Sequence, residues 1–176
     1  MAIHLYQSKR AKRNIGMQVY NDYAWHESQV DALTIWYADV FFINRKPTLV
    51  IANPLTKFTF FVFRYSRRES TDFLQKFREK LSYTMTCAGI DPKKYLEQCD
   101  WLVEYEKSDK SASAHLSRTK MEYEYMIKSQ HHNVDAADDE AFYNRMIADN
   151  LVSYHKKDFD RPSKRLYHEM LLRRWD

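Results

Sequence analysis

Glycine is nearly missing from this chain: Gly16 and Gly89 are the only two among 176 residues, where ordinary usage of about 7% would supply roughly twelve. Glycine-rich phosphate cradles, the dinucleotide fingerprint and the serine nucleophile elbow all need glycines at close, fixed spacing. Two glycines 73 positions apart supply none of them. Cysteine is equally sparse. Cys87 and Cys99 stand twelve apart, match no paired-cysteine zinc spacing, and read as reduced core thiols. No apolar run approaches the roughly 18 residues of a membrane span. Met1–Arg13, with His4 and four basic residues, lacks the apolar stretch of a secretory signal. The expectation is a cytoplasmic protein with no membrane association.

What the chain holds in quantity is aromatic side chains, 10 Phe, 13 Tyr and 4 Trp, within 44% hydrophobic and 30% charged residues. That composition buries a core and argues against disorder. The net charge of +4 is too small to announce a polyanionic partner. Its distribution is uneven: residues 1–110 hold 17 basic and 13 acidic side chains, and residues 111–176 hold 11 of each. The whole formal excess therefore lies in the first part.

Ile3, Leu5 and Gln7 alternate with His4 and Tyr6, the period of a short strand ending before Lys9, Arg10, Lys12 and Arg13. Leu33–Ile43 is β-branched and aromatic throughout and stops at Asn44-Arg45-Lys46-Pro47. Thr48–Ala52 is a second strand, Asn53–Thr56 a turn, and Lys57–Phe63 a third strand. Connections of about four residues join only antiparallel neighbours, so these three form an antiparallel meander. Phe73, Leu74, Phe77, Leu81 and Met85 then recur at helical spacing behind the cap residues Ser70-Thr71-Asp72. Ala88-Gly89-Ile90 is a left-handed glycine stop, Asp91-Pro92 opens a shorter helix, and Trp101–Tyr105 is a further strand. Strand and helix do not alternate regularly, which predicts an α+β fold, an antiparallel sheet packed on an amphipathic helix.

From residue 109 onward the pattern is helical, in two or three pieces. Leu116, Met121, Tyr125 and Met126 mark one helix, Ala141–Ile147 a second, and Arg161-Pro162-Ser163 opens a last. The expected organisation is an α+β domain over 1–108 and a helical extension over 109–176, packing on that domain or on a partner. In the last helix Leu166 and Met170 form one i,i+4 row and Tyr167, Leu171 and Trp175 the adjacent one, a candidate surface for a protein partner or a homodimer.

Three constellations could carry chemistry. His131, His132 and Asp135, with Asp138, Asp139 and Glu140 close behind, hold metal-ligating groups. Adjacent histidines diverge, however, and the following acids suit the positive end of a helix dipole. Glu104, Glu106 and Lys107 resemble a metal-and-lysine phosphodiesterase set, but alternation sends Lys107 to the opposite face from the two acids. The third is basic: Lys9, Arg10, Lys12 and Arg13 form one cluster, Arg64, Arg67 and Arg68 another, and Arg45 and Lys46 occupy a turn. If these converge they make a phosphate-binding rim. If they do not, they keep a sheet soluble.

The segment Trp36–Lys46, with its Trp–Ala–Asp strand ending in basic residues, followed by Leu49–Phe58 with a second strand ending at Asn53, resembles an uncharacterised bacterial and phage domain family. The likeness spans Ile3 to Glu106. It implies a prokaryotic or phage setting and carries no activity, cofactor or catalytic residue with it. The leading expectation is a non-enzymatic protein-binding module of inhibitor, antitoxin-like or modulator type. A nucleic-acid-binding module using the clusters at 9–13 and 64–68 is the alternative, and a metal-dependent hydrolase around His131, His132 and Asp135 the third.

Overall fold

A computed structural model describes residues 2–15, 30–66, 73–99, 101–105, 109–129, 137–155 and 158–175. Its first half holds β1 (Ala2–Gln7), α1 (Lys9–Ile15), β2 (Ile35–Ile43), β3 (Lys46–Ala52), β4 (Thr59–Val62), α2 (Phe73–Cys87), α3 (Lys93–Glu97) and β5 (Trp101–Tyr105). The second half holds α4 (Lys110–Ser129), α5 (Ala137–Asp149), a hairpin of β6 (Val152–His155) and β7 (Asp158–Asp160), and α6 (Pro162–Arg173). The fold is α+β.

Strands β2, β3 and β4 form the expected antiparallel meander. The full sheet has the order β4-β3-β2-β1-β5, and β1 lies parallel to both of its neighbours. The meander's bounds are tighter than the sequence pattern suggests. Ala32–Thr34 forms a 3-10 turn capped by Asp31, whose carboxylate accepts from the Leu33 amide. The β2–β3 turn is only Asn44 and Arg45, both left-handed at φ 49° and 65°, the two-residue geometry that matches strand twist. Strand β4 begins two residues late because Lys57 is itself left-handed at φ 57°, closing a loop around the wholly buried Asn53. The Asn53 Nδ2 donates to the carbonyls of Ala32, Leu33 and Ile35, and its Oδ1 accepts from the Thr56 amide and hydroxyl.

Alternation along each strand serves two cores. On one face Trp36, Leu49, Ile51 and Phe60 pack with Phe77, Leu81 and Met85 of α2 and with Leu166 and Met170 of α6. The Trp36, Phe60 and Phe77 rings meet edge-on at 5.4–5.6 Å. On the other face Phe41, Val50 and Phe61 pack with Leu116, Tyr123 and Ile127 of α4 and Tyr143 of α5. Helix α2 ends as expected at Gly89, φ 76°, where the Ile90 amide bonds the Met85 carbonyl at 2.9 Å and the Gly89 amide that of Thr86 at 3.0 Å. Both thiols are free.

Helix α5 closes the β4 edge in an unusual way. The Phe61 amide donates to Asn144 Oδ1 at 2.6 Å, Asn144 Nδ2 donates to the Phe61 carbonyl at 3.1 Å, and the Phe63 amide donates to Glu140 Oε2 at 2.8 Å. Two side chains one helical turn apart thus take the place of a neighbouring strand and cover an edge that would otherwise invite pairing.

Candidate functional site

Strands β1, β2 and β4 run in one direction, so their carboxyl ends lie at one end of the sheet. The basic segments of the first half follow those ends. Helix α1 leaves β1 there with Lys9, Arg10, Lys12 and Arg13, the β2–β3 turn places Arg45 there with Lys46 at the start of β3, and Arg64 follows β4. All seven side chains are exposed. The Arg10 guanidinium lies 5.1 Å from the centre of the Phe42 ring, which sets α1 beside the last residues of β2. Val40, Leu49 and Val62 share one level of the sheet; the Arg45 turn rises from the Ile43–Lys46 pair, three residues beyond it, and Arg64 follows Val62 by two. With strands about 4.8 Å apart, the rim from β1 to β4 is about 14 Å wide.

A half-buried carboxylate fixes the amino end of α1. The Ser8 hydroxyl accepts from the Ala11 amide at 3.0 Å and donates to Asp39 Oδ1 at 2.5 Å. Asp39 also accepts from the Val40 amide and pairs with Lys120 of α4, both charged side chains being less than a fifth exposed. Asp39 and Ser8 are therefore positioning residues: they hold the cation-bearing helix against the sheet, and the Asp39 charge is spent inward. Glu140, another acid near this end, is committed to Lys80 and the Phe63 amide, and Glu104 of β5, which also runs parallel to β1, stands beside Leu5. Lys9, Arg10, Arg13 and Arg45 make no ion pair with any described residue. Such an array offers several separately placed cations to a chain of phosphates, with arginine forks that bind phosphate oxygens in pairs.

The structure brings together the 9–13 cluster, Arg45, Lys46 and Arg64, while Arg67 and Arg68 lie outside the described residues. His131, His132, Asp135, Glu106 and Lys107 lie outside them too, and among the described residues no group of three His, Cys, Asp or Glu could hold a metal ion. The tail candidates divide. Leu166, Met170 and Trp175 belong to the core of this chain, while Tyr167 and Leu171 are 46% and 40% exposed. Trp175 leaves the second row because Arg174 turns left-handed, φ 59°, and the Trp175 amide bonds the Met170 carbonyl at 2.9 Å. The indole then meets the Tyr95 ring edge-on at 5.8 Å. The Ser8–Asp39–Lys120 chain was not anticipated. Its one signal is a single acid inside the otherwise apolar run Ile35–Ile43.

Comparison with known families places the chain. It belongs to DUF6933, a domain of unknown function, whose family model matches residues 9–165. The match begins at the first cation of the rim and continues well past residue 106, through α4, α5 and the hairpin into α6. No curated protein and no solved structure matches. Among the described residues no helix is long and apolar enough to cross a membrane.

Proposed function

We propose that this protein acts by binding, and that it grips the backbone of a nucleic acid with the basic rim at the carboxyl ends of β1, β2 and β4. One observation carries the reading: strand direction gathers cations from positions 9–13, 45–46 and 64 onto one exposed end. Four of them have no acidic partner among the described residues. Cations that only solubilise a sheet have no need to share one end of it.

Anisotropy of a labelled single-stranded oligonucleotide and of its duplex, measured across a salt series, tests this. If four phosphates are engaged, log K falls with log salt at a slope of about −3 or steeper. The triple variant Arg10→Glu, Arg13→Glu, Arg45→Glu loses about tenfold or more in affinity at fixed salt. Binding indifferent to salt, or a triple variant that binds as well as the parent, defeats the reading.

A protein-binding role is the second reading, favoured by the exposed Tyr167, Leu171 and Leu172 of α6. It predicts self-association or a stable complex that Leu171→Lys with Leu172→Lys abolishes in sedimentation velocity. An inhibitor, antitoxin-like partner or modulator in a bacterial or phage setting would work through such a surface.

A further inference from the structure

Helices α2 and α5 lie side by side, and α5 runs away from the basic rim, from Glu140 near the end of β4 towards Asp149. Where their carboxyl ends approach the start of α6, an open cavity of about 670 Å³ remains, within the range of small-molecule sites. One side is apolar: Phe142, half exposed, with Met146 and Cys87 half-buried. The other is charged, and unevenly so. Arg161 pairs with Asp149 at 2.9 Å, and Asp149 also takes the Ser163 hydroxyl. Arg145, one turn before Asp149 on α5, has no hydrogen bond or ion pair to any described residue. The cavity lining thus carries two guanidiniums and one carboxylate, which is already engaged.

We infer that this cavity binds a small amphipathic carboxylate, its head on Arg145 and its apolar body against Phe142, Met146 and Cys87. The unmatched guanidinium supplies a planar, two-pronged donor for a carboxylate, and the apolar side supplies the area that holds the rest of the ligand. The cavity is independent of the basic rim, so failure of one proposal leaves the other standing.

The two cysteines provide the readout, since Cys87 lines the cavity and Cys99 is fully buried. Alkylation of the folded protein by iodoacetamide, a neutral reagent, is followed by mass spectrometry and modifies Cys87 ahead of Cys99. Octanoate slows modification of Cys87, and octanamide, of the same shape without charge, requires about tenfold or more higher concentration for the same protection. Arg145→Gln, at an exposed side chain without a partner among the described residues, leaves the melting temperature unchanged and makes the two probes equivalent. No protection by octanoate at millimolar concentration overturns the inference. So does equal protection by both probes in the parent protein, which would reduce the cavity to an apolar surface.

Discussion

Arg45 sits second in a two-residue hairpin turn at φ 65°, a conformation that costs a residue with a Cβ about 1 kcal/mol and glycine almost nothing. The chain places a long cation there, and another at Arg64, φ 56°. Arg45→Gly separates the stability of the turn from the proposed phosphate contact. It relieves the turn, so stability is expected to rise by about 0.5–1 kcal/mol in urea titration, while affinity for an oligonucleotide falls. A variant that loses stability would mean the Arg45 side chain is a structural element. His115 gives a second residue-scale expectation. Burial, helped by the positive field of Lys57, pushes its imidazole down to about 4, and Thr59 Oγ1 lies 3.1 Å from its Nε2. Thr59 gives its own proton to the Lys57 carbonyl, so His115 donates and is neutral. The unfolded chain protonates its histidines near 6.5, so from pH 6.5 down to 4 it binds the extra proton and the folded form does not. Stability falls with pH across that window, by up to about 3 kcal/mol. Burial also lowers His4, in the same sense. His115→Gln should flatten the pH dependence measured by urea titration and leave the His4 contribution in place.

Among the elements, α5 covers the β4 edge with only two side chains, Glu140 and Asn144. Replacing Asn144 by Ala leaves the Phe61 amide and carbonyl buried without partners, at about 1–3 kcal/mol for each group. The expected loss is about 2–4 kcal/mol in unfolding free energy, with faster hydrogen exchange at the Phe61 amide. Asn144→Asp keeps the acceptor and loses the donor, so it should fall between. An unchanged exchange rate in Asn144→Ala would show that the edge needs no such cover. Nothing in the sequence marks this device, because Glu140 and Asn144 at i,i+4 read as an ordinary solvated helix face. What the sequence does show is local. The meander is legible from its short connections, α2 from its apolar spacing and Gly89, and α6 from Pro162 at its first turn. The parallel placement of β1 is not legible, since its partners β2 and β5 lie about 30 and 100 residues away, and parallel pairing leaves no turn signal behind. The convergence of the basic clusters depends on that same long-range geometry. Their residues are plain in the sequence, but their common end is fixed only once every strand has a direction.

At the scale of the whole molecule, residues 109–176 complete the packing of the sheet on both sides. Helices α4 and α5 cover Phe41, Ile43, Val50 and Phe61 on one face, and Leu166, Met170 and Trp175 enter the core on the other. Arg173 of α6 also clasps Asp31 through Nε at 2.7 and 2.8 Å, and Glu169 through a second nitrogen at 2.6 Å. Exposing four large apolar side chains of the covered face costs about 6–12 kcal/mol at 1.5–3 kcal/mol each, comparable with the whole stability of a domain. A fragment of residues 1–108 is therefore expected to lack a cooperative thermal transition and a dispersed NMR spectrum. The full chain should melt in one step, with circular dichroism and tryptophan fluorescence giving the same midpoint. A cooperative transition in the fragment would mean that the first 108 residues are a domain to which the helices are merely attached. The result also bears on the rim, because Lys120 of α4 holds Asp39, and Asp39 holds the serine that caps α1. If the helices of the second half are integral to the fold, the cations of the first half depend on them for position. Lys120→Met should then weaken oligonucleotide binding although Lys120 itself lies inward of the rim.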